Sequence, residues 1–151
     1  MLKTLLTISA AAFLITGFNS CVKPPEYPVE PRIELVEVNK VSFVEFDPDS
    51  LRVNIYFEDG DGDIGGEDVD SLNLFWEDSR VPGFRIGAKI PYIELQGNHT
   101  AISGNIYAVR GISQCINPVD VDTFYYTIQI RDRAGNWSNE IRTPNLSLIC
   151  D

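Results

Sequence analysis

The chain has 151 residues, 44% hydrophobic and 11% aromatic, with 22 Asp and Glu against 12 Lys and Arg, for a formal net charge of -10. That size suits one domain and excludes a cofactor enzyme with a separate substrate domain. The acidic balance excludes nucleic acid as a partner, because affinity for a phosphate backbone comes from clustered Lys and Arg; one histidine and one methionine leave little for proton transfer or soft-metal chemistry.

Residues 1–20 read as an export signal, with Lys3 as a basic start and Leu5 to Ile15 as an apolar stretch. The stretch is too short and too interrupted by Thr and Ser for a membrane span, which needs about 20 apolar residues. Phe18-Asn19-Ser20-Cys21 resembles the lipobox of bacterial lipoproteins, and the looseness at Phe18 and Asn19 is similar to that of Bacteroidota lipoproteins. The resemblance implies lipidation of Cys21 and anchoring at the bacterial outer membrane, facing the periplasm or the cell surface. The alternative is an ordinary secretory signal with Cys21 as a free thiol. Four of the nine prolines fall between Val22 and Pro31. Proline fixes φ and removes amide donors, so residues 21–31 are predicted to form an extended tether, or else an edge strand, before a single domain over 32–151.

From residue 32 the apolar pattern has period two. Strands are predicted over Ile33 to Phe46, broken near Asn39, and over Leu51 to Phe57, where 51, 53, 55 and 57 share one face. Next comes Glu58-Asp59-Gly60-Asp61-Gly62-Asp63-Ile64-Gly65-Gly66-Glu67-Asp68-Val69-Asp70, with seven carboxylates in 13 residues. No Lys or Arg lies between residues 53 and 79. Like charges this dense repel, and a hard cation resolves the conflict. Calcium takes roughly six to eight oxygen ligands, and carboxylates at i, i+2 and i+4 separated by glycines let the backbone curl round one ion. Magnesium is disfavoured because it keeps its waters.

The spacing resembles the opening of an EF-hand loop but departs from it at Ile64, where the EF-hand has an invariant glycine, and at Asp70, where it has Glu. An Asp-rich loop on the rim of a sandwich, as in cadherin-like modules, fits better. The metal ligands predicted in this stretch are Asp59, Asp61, Asp63, Glu67, Asp68 and Asp70; the alternative is a solvated acidic turn. Asp59 to Gly66 also resembles an Asp-Gly-Asp-Gly-Asp-Ile-Gly motif of Bacteroidota outer-membrane lipoproteins, which names a family without supplying an activity.

Further strands are predicted over Ser71 to Trp76, Ile86 to Leu95, Ile102 to Val109, Tyr126 to Arg131 and Trp137 to Leu148, separated by Gly-, Pro- and Asn-rich turns. His99 falls in one of those turns and needs no role. If Cys21 carries lipid, Cys115 and Cys150 remain as an even pair in an exported domain, so a disulfide is the default expectation, with two buried thiols as the alternative. Tyr125 to Ser138 resembles the last hairpin of bacterial immunoglobulin-like surface domains. About seven strands at this spacing predict an all-β, immunoglobulin/fibronectin-like antiparallel sandwich, with a jelly roll or small barrel as the rival. In that topology the loops after strands 51–57 and 124–131 emerge together, so Asp132 and Asn136 are predicted to complete the calcium shell.

The expected function is a lipid-anchored envelope binding module, stiffened by calcium, that recognises an unidentified protein or glycan through rim loops and aromatics such as Trp76, Phe84, Tyr92 and Trp137. The alternative is an accessory subunit of an outer-membrane complex. Enzymatic activity is not expected: a hydrolase using paired carboxylates lacks an acid in a distinct environment.

Overall fold

The computed structural model describes residues 26–68, 70–95, 100–112, 114–116 and 119–150. The predicted signal segment, Cys21, the first half of the tether and His99 lie outside them. Every regular element among the described residues is a strand, and no helix is long and apolar enough to cross a membrane.

Among the described residues ten strands form three open sheets. The first has the order β1-β3-β6, from Arg32–Val38, Ser50–Asp59 and Ile102–Gly111. The second has the order β5-β4-β8-β9, from Arg85–Ala88, Leu74–Asp78, Tyr126–Ile130 and Ile141–Arg142. Both are antiparallel throughout. This is the strand arrangement of an immunoglobulin/fibronectin-like sandwich, and the open sheets exclude the barrel.

The third sheet joins β2 (Ser42–Val44), β10 (Leu146–Ile149) and β7 (Val121–Phe124) in the order β2-β10-β7. It explains why ten strands appear where about seven were expected. β7 and β8 are one chain run interrupted at Tyr125, and β9 and β10 are another interrupted at Thr143–Asn145, where Pro144 has no amide to donate. Thr143 Oγ1 accepts from the Tyr126 amide and the Thr143 amide donates to the Tyr126 carbonyl, so the break is bridged. The predicted strand over Ile86 to Leu95 stops at Ala88, and beyond it Ile90 turns into the core.

The core follows from the period of two. On β3, Leu51, Val53, Ile55 and Phe57 point inward, and on β8 Tyr126, Ile128 and Ile130 do the same. They meet Leu74 and Trp76 of β4 in one apolar cluster. Tyr126 is packed edge-on by Trp76 at 5.6 Å and by Phe124 at 5.5 Å between ring centroids. At the β10 end Cys115 and Cys150 lie at disulfide distance with their Cα atoms 6.1 Å apart. A bond closing that loop stabilises the fold by roughly 4 kcal/mol in the chain-entropy model.

Candidate metal centre

The inward rows do not stop at apolar residues. One further step of two along β3 reaches Asp59, which has no exposed surface, and one further step past Ile130 reaches Asp132, which is 6% exposed. The alternation that packs the two sheets therefore drives one aspartate from each side into the same open end of the sandwich.

Asp61 and Asp63 join them from the loop that follows β3. Each of the four offers a carboxylate oxygen, and these atoms all lie within 4.8 Å of one another. Oδ1 of Asp59, of Asp61 and of Asp63 is buried without a hydrogen-bond partner. Buried polar atoms are rarely left in that state, because each costs about 1–3 kcal/mol. A cluster of four carboxylates, three of them with a buried oxygen lacking a hydrogen-bond partner, could hold a hard divalent ion.

The other oxygens of these carboxylates hold the loop in shape. Asp59 Oδ2 accepts from the Asp63 amide at 2.8 Å, and Asp63 Oδ2 accepts from the Ala134 amide at 2.8 Å. Asp132 accepts from Asn136 twice, from the backbone amide at 2.7 Å and from Nδ2 at 2.8 Å. Burial, opposed by the Asp63 amide and reinforced by the charges of Asp61, Asp63 and Asp132, pushes the Asp59 carboxyl up to about 6. Burial also raises Asp63, against the Ala134 amide.

Neighbouring segments brace the loop from outside. The Gly60 amide donates to the Pro28 carbonyl at 2.8 Å, and Thr100 Oγ1 donates to the Gly60 carbonyl. Any Cβ at Gly60 would stand 2.4 Å from the Tyr27 carbonyl oxygen. Gly62, at φ 71°, is pressed equally hard against Thr100. Ile64, at the position that separates this loop from an EF-hand, is 1% exposed and pins the loop into the core. Arg133 reaches the carbonyls of Ile64 and Gly65 from the loop that follows β8.

Of the eight metal ligands expected from sequence, the structure brings together Asp59, Asp61, Asp63 and Asp132. Asn136 stands behind Asp132 as its hydrogen-bond donor. Glu67, Asp68 and Asp70 are exposed and line a neighbouring cleft instead. Of the named aromatics, Trp76 is 2% exposed and belongs to the core, whereas Phe84, Tyr92 and Trp137 reach solvent. The bracing roles of Gly60, Ile64 and Arg133 escaped the sequence reading. Only Ile64 carried a signal, as a lone apolar residue within an acidic run.

No protein-family model matches the chain, and comparison with characterised proteins and with solved structures gives no match.

Proposed function

We propose that the chain is a lipid-anchored binding module of the bacterial outer-membrane envelope, held rigid at one end by calcium and recognising a protein or glycan without catalysis. The observation that carries the metal is the convergence of four carboxylates, three of which each have a buried oxygen without a hydrogen-bond partner. The lipid anchor at Cys21 rests on the sequence. The hydrogen bond from Gly60 to Pro28 favours a role for calcium at the junction between anchor and domain, because the metal loop and the N-terminal segment grip each other there.

A holding role fits these carboxylates better than proton transfer. Asp59, pushed up to about 6, has no surface to meet a substrate. The test is thermal unfolding of the full chain in millimolar calcium, magnesium or chelator. A ligand that binds only the native state at ten times its Kd adds about 1.4 kcal/mol, so calcium should raise the midpoint and magnesium should do so far less. Identical melting in calcium and chelator sinks the metal.

One observation favours the subunit reading as a second possibility. On the outer face of the third sheet the register aligns Val44, Ile149 and Val121 in one row, each more than 40% exposed, beside Phe46 at 72%. A contiguous apolar row on a sheet is commonly an interface. A stoichiometric partner retained after mild solubilisation, and lost with Ile149→Lys, would decide for it.

A further inference from the structure

The second half of the acidic run leaves the metal cluster and lines a cleft of about 900 Å³. Glu67, Asp68 and Asp70 border it, all exposed. The same lining includes Arg131 and Arg133, both exposed residues. Among the described residues no ion pair joins these carboxylates to these guanidiniums. Two aromatic rings, Tyr92 and Trp137, each 39% exposed, also line the cleft. The rings are held in place: Trp137 rests on Phe75 at 4.9 Å and under Arg131 at 5.4 Å, and Arg133 lies 4.9 Å over Tyr92.

The mixed lining selects the ligand by charge. A cationic peptide drawn to the carboxylates meets two guanidiniums, and an anionic one drawn to the guanidiniums meets three carboxylates. A carboxylate only accepts hydrogen bonds and a guanidinium only donates them, whereas a hydroxyl does both. A neutral polyhydroxylated ligand with apolar ring faces therefore satisfies both kinds of group and lies against the aromatic rings. The volume falls within the range that holds small ligands.

We infer that this cleft binds a neutral carbohydrate, with Tyr92 and Trp137 as its aromatic surface and the carboxylates and guanidiniums of the lining as its hydrogen-bonding groups. The inference rests on the reading of the chain as a binding module and names its ligand class. Asp132 belongs both to the cleft and to the metal cluster, so the ion steadies one corner of the site.

The test probes the full chain, in millimolar calcium, against an array of neutral glycans built from glucose, galactose, mannose, xylose and fucose, with a polylysine and a polyglutamate peptide on the same surface. At least one neutral glycan should bind. Tyr92→Ala and Arg131→Ala should each weaken that binding about tenfold or more, while Tyr107→Ala, on the outer face of the other sheet and 73% exposed, should leave it unchanged. Trp137→Ala also removes the packing on Phe75, so Tyr92→Ala is the decisive variant. Binding of neither glycan nor peptide, or of a peptide alone, overturns the ligand class, and glycan binding that survives both substitutions overturns the location. A chain whose melting responds to calcium but which binds no glycan loses this inference and keeps the metal. One that binds glycan with no response to calcium keeps the cleft and loses the metal.

Discussion

The inward row that runs along β7 and β8 ends in an aspartate at each end, Asp122 at one and Asp132 at the other, both nearly fully buried. At the Asp122 end the chain supplies its own counter-ion. Arg80, with a side chain 5% exposed, bonds Asp122 Oδ2 at 2.9 Å and grips Asp78 through Nε and Nη2. Its guanidinium also lies 3.7 Å over the Phe124 ring. At the Asp132 end four carboxylates converge, and the Arg133 guanidinium bonds backbone carbonyls, its charge only partly offsetting the burial that raises Asp63. A buried carboxylate needs a partner charge. One end carries that charge in the sequence, and under the proposed calcium reading the other receives it from solution.

The largest expected effect tests the self-sufficient end. Arg80→Met leaves Asp78 and Asp122 buried without their cation, and losing one member of such a group costs about 3–5 kcal/mol. Urea unfolding should show the same loss in calcium and in chelator, since this end owes nothing to the metal. A loss that shrinks in calcium would mean that the two ends are coupled.

The pH dependence of the metal-free protein tests the other end. Below about pH 4 Asp59 is protonated in both folded and unfolded chains and has no effect on stability. Between there and about 6 the native state keeps a proton that the unfolded chain has released, so stability falls as pH rises. Above about 6 the full penalty stands, on the order of 3 kcal/mol. Asp63, raised in the same direction, adds to it. In chelator, Asp59→Asn should flatten this fall in urea titrations across the window. Calcium should abolish the fall in the wild-type protein, because the ion replaces the proton.

Gly60→Ala sharpens the comparison by asking how stiff the loop is before any ion arrives. Its methyl would meet the carbonyl oxygens of Tyr27 and Pro28 at 2.4 and 2.6 Å. Backbone has to move, at a cost of about 1–3 kcal/mol measured by chemical denaturation. The smallest effect belongs to Asp132→Ala, which removes one ligand of four and should weaken calcium binding about tenfold by calorimetry, near 1.4 kcal/mol. Unchanged affinity would remove Asp132 from the shell.

Much of this is legible in the sequence. The alternation in Leu51 to Phe57 and in Tyr126 to Ile130 marks two half-buried strands, and the seven carboxylates of residues 58–70 mark the charged loop. Continuing both alternations by one step reaches Asp59 and Asp132, so even their inward aim was within reach of the pattern. The fate of Glu67, Asp68 and Asp70 was not. Periodicity ends where the strand ends, and the direction of the chain past Asp63 depends on Ile64 entering a core assembled from other elements. Arg80 illustrates the same limit: its partner Asp122 lies 42 residues away, and no local pattern announces the pairing.

The sequence by itself determined the all-strand architecture, the two inward rows and the surplus of negative charge in one loop, because strand alternation and charge density are local properties of the chain. Only the tertiary structure decided which carboxylates share a centre, which line a cleft, and which already own a cation. Those outcomes depend on distances between segments far apart in sequence, set by how two sheets close over a common core.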